Sequence, residues 1–425
     1  MKYSLLLFIF LLNVTGIFAQ QNLTAKQLSR NADSLYQAKD YKTAADIYGQ
    51  AAEAADFKSQ KASNMYNMAC CFALAGDTAN AFRVLQTAIM EGYDNKSQIL
   101  QDDDLKSLRG LPLWELTMAS LKDRPAPNSD PAKAKFVTED IHRFWNAYDL
   151  ALKYPAGDAK GIFKTYYFTP ASVGMDDYMS LKVNSIDAFV THILSQPKFY
   201  AAIRTNTYKV DGFKKDFKKS FRAFKKIYPA AVFPDVYFVI GALTSGGTVS
   251  EAGLLIGVNQ IAQSDDTPME ELSFSQRTRM NKISYMPAII AHELIHFQQN
   301  GMKSDTTTLY YCIKEGMADF IGELISGSNA NPNLYAWAKG KEKLIWQRFQ
   351  VDMFENRYAN WIANGNQATP DNLPDQGYWI GYQICKAYYA QAADKKKAIN
   401  DMLHIKDYKQ FLQQSGWEKK LQDFR

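Results

Sequence analysis

The sequence predicts an α+β protein in two parts, an α-helical repeat module followed by a mostly helical domain built around a small β-sheet. Three observations carry that prediction. Residues 25–88 are self-similar, a proline-rich polar segment lies near residue 130, and two short runs of β-branched and aromatic residues precede a long helical pattern. At 425 residues the chain is long enough for two cores.

The opening stretch MKYSLLLFIFLLNVTGIFAQ has one lysine, an apolar run, and small residues at Gly16 and Ala19. This is the layout of a secretory signal peptide over residues 1–19, cleaved after Ala19. A retained membrane anchor competes with it, because the run is near the lower length limit for a spanning helix. No cysteine lies there, which argues against a lipid-modified N-terminus, and no later stretch is apolar enough to span a bilayer. The expectation is an exported protein, periplasmic or secreted, without a transmembrane segment once the signal is removed.

A formal net charge of +5 is too mild to argue for nucleic acid. The lysine-rich FKKDFKKSFRAFKKIY places Phe213, Phe217, Phe221, Phe224 and Tyr228 on one helical stripe, a core face under a solvated one. Four cysteines make no disulfide framework; Cys312 and Cys385 could pair or remain buried thiols.

In the repeat module (residues 20–121), aligning Ala25 with Ala62 matches Ala32 with Ala69, Leu35 with Phe72, Ala44 with Ala81 and Ala51 with Ala88. Small residues at these places let helices approach closely. The pattern resembles the tetratricopeptide repeat, with Gly76-Asp77 in the second turn. Its offset of 37 exceeds the usual 34, which implies a short insertion between the copies. Leu105, Leu108, Trp114 and Leu116 are read as the packing side of capping helices. The module is either a groove for a protein partner or a spacer packed on its neighbour.

The linker spans 122–135 and the second domain 136–425. Thr138 reads as an N-cap, with Glu139 and Asp140 in the first turn. FPDVYFVIGAL and GLLIGVNQI read as two paired strands joined by a glycine-rich turn. His142, His192 and His404 each stand alone and read as packing or surface residues.

AHELIHFQQN, residues 291–300, is the chemically informative stretch. On a helix with Pro287 in its first turn, His292 and His296 point at one spot and Glu293 lies beside them. Two neutral nitrogens suit Zn2+, and a neighbouring carboxylate can take a proton from a polarised water. A third ligand is sought among Glu315, Asp319 and Glu323. Glu315 follows His296 after eighteen residues, enough to leave one helix and start another. Asp319, one turn on, would then accept a hydrogen bond from the far nitrogen of His292.

HELIH followed by EGMAD resembles the gluzincin clan of zinc metallopeptidases. The wider pattern of FWNAYD, VYFVIGALTSGGTVSEAGLLIGVNQI, AHELIHFQQ, EGMADF and GYWIGYQI, over roughly residues 136–390, is similar to a bacterial family of predicted zinc-dependent proteases, itself related to a gliding-motility lipoprotein. The resemblance implies a zincin-type fold, a peptide or protein substrate, His292, His296 and Glu315 as zinc ligands and Glu293 as general base. Gluzincins often stabilise the oxyanion with a Tyr or His, for which Tyr378 and Tyr382, four apart in GYWIGYQI, are the candidates. The peptide carbonyl is expected beside the strand GLLIGV. The aminopeptidase motif Gly-x-Met-x-Asn and the metzincin third histidine are both absent. The rival expectation is a non-catalytic envelope scaffold that binds a partner through its repeats; the retained Glu293 favours the enzyme.

Overall fold

The computed structural model describes residues 23–121, 127–154, 158–183 and 185–421. The signal-peptide expectation for residues 1–19 and the first part of the linker lie outside them.

Two helical hairpins open the chain: α1 (Ala25–Gln37) with α2 (Tyr41–Glu53), then α3 (Lys58–Leu74) with α4 (Thr78–Met90). Side-chain caps start most of them. Thr24 forms a capping box with Gln27, Asp40 accepts the Thr43 amide, and Asp77 accepts that of Asn80. Gly76 takes φ 81° to turn the chain between α3 and α4. The alanines at 32, 44, 51, 69, 81 and 88 are fully buried where the helices touch. The extra residues behind the offset of 37 lengthen α3, which begins four residues before Ala62. Leu105, Leu108 and Trp114 pack on the module as expected, whereas Leu116 is 68% exposed and points to solvent.

That extra turn of α3 docks on the second domain. Phe57 offers no side-chain cap, and the amides of Lys58 and Ser59 instead donate to the Asp176 carboxylate at 3.0 and 2.7 Å. The exchange is mutual, since Asp56 accepts the Ile186 amide at the start of the helix Ile186–Leu194 (2.8 Å). Phe57 enters the larger core.

The second domain is mostly helical around one mixed sheet of β1 (Phe136–Val137), β2 (Val236–Val239), β3 (Gly247–Ser250) and β4 (Gly253–Gly257), in the order β1-β2-β4-β3. The first three in that order run parallel, and β3 pairs antiparallel with β4. This corrects the sequence reading at one point: the glycine-rich connection is itself a strand, while GLLIGV forms the wholly buried β4 and pairs with β2 as read. Thr138 does occupy the N-cap position, but its hydroxyl donates to Asp211 (3.2 Å) rather than capping. The aromatic stripe behaves as read, with Phe217, Phe221 and Phe224 fully buried.

The site rests on three helices: Met286–His296, Thr308–Ser326 and Gln376–Gln391. Glycine brings them together. A Cβ on Gly381 would stand 1.7 Å from the Cys312 carbonyl oxygen, and one on Gly316 would stand 2.0 Å from the Tyr382 nitrogen. Cys312 and Cys385, on two of these helices, are both free buried thiols, so the bridge weighed from sequence is not formed.

Candidate metal centre

Pro287 opens the first of these helices, whose buried residues run from Met286 to Ile295 with few interruptions. Its polar exceptions converge as periodicity requires. The Nε2 atoms of His292 and His296 lie 3.0 Å apart, and Glu315 Oε2 lies 3.0 Å from His296 Nε2 and 3.7 Å from His292 Nε2. Donors arranged tetrahedrally on bonds of about 2.0–2.1 Å would be separated by about 3.4 Å, which these distances bracket.

Further contacts aim these donors. His292 Nδ1 faces Asp319 Oδ1 at 2.7 Å, and His296 Nδ1 faces Gln299 Oε1 at 2.8 Å. Gln299 is fixed by donating from Nε2 to the Lys314 carbonyl (2.7 Å), so its oxygen must accept. Both imidazoles thus place their protons on Nδ1 and turn lone pairs towards Glu315. Two lone pairs and a carboxylate this close require a positive charge between them. A divalent cation fits that demand, and so does an added proton. Burial alone would lower the His292 pKa, but hydrogen bonds to Asp319 and Glu315 and the surrounding carboxylates raise it well above the usual value. Burial would likewise raise Glu315, yet the charge of His296 and hydrogen bonds from both rings hold it well below the ordinary carboxylate range.

Asp319 is itself saturated, accepting from both Asn331 (3.0 and 2.9 Å) and Tyr335 (3.0 Å). The chain reaches Asn331 by ending its helix at Gly327, with φ 85°. Glu293 leans over β3, where a Cβ on Gly247 would stand 2.2 Å from its Oε1 and would push that carboxylate aside. Burial raises the Glu293 carboxyl pKa, with Glu315 adding to the effect against the pull of the two histidines.

His292, His296, Glu315, Glu293, Gly247 and Asn331 line a cleft of about 460 Å³ bounded by β3, the ligand helices and the loop through Asp375. Tyr378 joins them, its ring 5.9 Å from that of His292 and nearly parallel at 15°. Burial first, then Glu315, Asp375 and Asp319, push its hydroxyl pKa well above normal. Tyr382 does not line the cleft. It packs edge-on against Phe320 and Tyr335 and accepts from Lys386 (3.3 Å). Glu323, the other carboxylate considered, accepts from Asn329 (2.9 Å) away from the cleft.

Sequence reading missed Gln299, Asn331, Tyr335 and Gly247. Gln299, three residues after His296, left a readable signal in HFQQ; the others arrive through tertiary contacts.

What this geometry defines is a cluster of two histidines and a glutamate whose donor atoms could hold a metal ion, set in a mostly helical domain. Residues 138–419 match the model of the family of gliding motility protein GldB, and the chain belongs to that family. Membership in this envelope lipoprotein family implies an envelope location, and no described helix is long and apolar enough to cross a membrane. No peptidase family matches. The searches of curated proteins and of solved structures returned no match.

Proposed function

We propose that the protein is an exported zinc-dependent hydrolase of peptide bonds, with His292, His296 and Glu315 as ligands and Glu293 as general base. The observation that carries this reading is the convergence of two oriented imidazole nitrogens and a carboxylate oxygen beside Glu293. When bound, zinc would supply a Lewis acid that brings the pKa of a water towards neutrality and polarises a carbonyl.

The chain's own groups do the rest. Glu293, held against Gly247, takes the proton from the attacking water and delivers it to the departing amine. Asp319 and Gln299 keep the ligand rings in one tautomer. Tyr378, kept protonated by its surroundings, donates towards the developing oxyanion. The edge strand β3, rather than the internal β4, offers backbone groups to an extended peptide.

Family membership favours a second reading, a non-catalytic envelope scaffold in which the fold and the repeats bind a partner. The family match speaks for this reading more directly than for a peptidase. Zinc content and cleavage of a pooled peptide library, measured on the mature protein and on Glu293→Gln, separate the two. Zinc retained in both with cleavage lost only in the variant supports the hydrolase; zinc without cleavage in the unmutated protein leaves the scaffold.

A further inference from the structure

The metal centre does not account for the charge of the cleft. Lys182, Arg279 and Lys314 line it together with Glu293, Glu315 and Asp375. None of the three cations makes an ion pair among the described residues, although Arg279 Nε donates to the Ser275 carbonyl (3.2 Å). They surround the metal ligands: Lys182 acts on Glu293, Arg279 acts on Asp375, and Lys314 directly precedes Glu315. A dication at the ligand triad would tip the cleft to net positive.

Cations that make no direct ion pair, in a cleft made net positive by the metal, attract an anion. Gln260 says what kind of anion. It lines the cleft, is 8% exposed, and its buried Oε1 has no hydrogen-bond partner, while its Nε2 donates to the Arg279 carbonyl (3.3 Å). An orphaned acceptor among cations suits a ligand that brings its own N–H groups, which a polypeptide has along its whole backbone.

We infer that the cleft takes acidic polypeptide, a chain with Asp or Glu flanking the reacting bond, whose carboxylates meet Arg279, Lys314 and Lys182. The hydrolase reading underlies the words "reacting bond"; binding of the acidic chain can be tested without it.

The test uses the full mature chain as zinc-loaded Glu293→Gln, with fluorescein-labelled peptides that differ only in carrying Glu or Gln at the central positions. Fluorescence anisotropy should show the Glu peptide binding about tenfold tighter at low salt. The margin should shrink as salt rises. Lys182→Glu and Arg279→Gln should each reduce it, with Lys182→Gln standing in if circular dichroism shows that Lys182→Glu does not fold. Equal binding of the two peptides, a margin untouched by these variants, or equally tight binding of a labelled oligonucleotide would overturn the inference. If the Glu preference holds but the unmutated zinc protein cleaves no peptide, the hydrolase reading alone fails. If it cleaves Glu and Gln peptides alike and binds them alike, the inference alone fails.

Discussion

Among the described residues, ligand-type side chains converge at two places, and only one is arranged as a metal centre. In the second domain, His292, His296 and Glu315 turn free lone pairs inward because Asp319 and Gln299 hold the far side of each ring. In the repeat module, Cys70, Asp102 and Asp104 lie equally close, but their oxygens are already used. The Tyr66 hydroxyl donates to Asp102 at 2.6 Å and that of Tyr36 to Asp104 at 2.8 Å. Burial pushes the Cys70 thiol well above its usual pKa, so the sulfur keeps its proton. The difference teaches that proximity of donors is cheap. What marks a site is a surrounding layer that leaves their lone pairs unsatisfied and facing inward.

The strongest way to break this contrast is to remove one ring. His292→Ala should take zinc from about one ion per chain to near none, because a site reduced to two protein ligands binds weakly. Elemental analysis after dialysis reads this directly. Full zinc occupancy in the variant would move the metal elsewhere, with the repeat cluster the first place to look.

A second contrast sets His292 against His192. Both are largely enclosed, but His192 has no carboxylate beside it and its Nε2 has no partner. Burial alone acts there and pushes its pKa down to about 4. The sign follows: between about pH 6.5 and pH 4 the unfolded chain binds a proton that the folded chain refuses, so stability falls as pH falls through that window. The loss is on the order of 3 kcal/mol. Urea unfolding at pH 7 and pH 4.5 should show a shallower drop for His192→Leu than for the unmutated protein. Parallel drops would mean that His192 ionises freely in the fold.

Asp319→Asn probes the surrounding layer itself. An amide in that position faces donors from Asn331 and Tyr335 and no longer holds the His292 proton as a carboxylate does. Zinc affinity, read by chelator competition, should fall about 10- to 100-fold with the ligands intact. An unchanged affinity would reduce Asp319 to a packing role.

The legible part of the site was the part written in helical spacing. His292, His296, Glu293 and the pair Glu315 and Asp319 recur at intervals that a helix converts into facing directions, and Pro287 marked where that helix starts. Spacing failed for Tyr378 and Tyr382 because their helix is buried on several sides, so a shared face did not reveal which ring meets the cleft. The edge strand failed for a different reason. Thr248 and Val249 favour a strand, but the glycines at 246 and 247 beside them read as a turn, and the strand is fixed by pairing with β4. In the repeats, the excess of the 37-residue offset was countable, but its location in the first turn of α3 depends on Asp176, more than a hundred residues away. Leu116 was misplaced because its short helix, Pro112–Ser120, has more apolar residues than its buried face can hold, and Leu113 is left exposed with it.

The smallest effect is expected in the repeat cluster, and it completes the contrast. Cys70→Ala removes the one thiol from the trio while leaving the Tyr66–Asp102 and Tyr36–Asp104 hydrogen bonds in place. If the sulfur is only a small buried apolar group, zinc content and chelator competition should not change. Stability should drop by about 1 kcal/mol for the lost sulfur and the small void left behind. A fall in zinc stoichiometry would refute the assignment, because it would require the buried thiol to give up its proton and the tyrosines to release their carboxylates. The energetics argue against that exchange: a metal binding there must displace two hydrogen bonds to charged acceptors, each worth about 1.5–3 kcal/mol, whereas one at His292, His296 and Glu315 replaces a proton shared among its own ligands and leaves the Asp319 and Gln299 contacts in place.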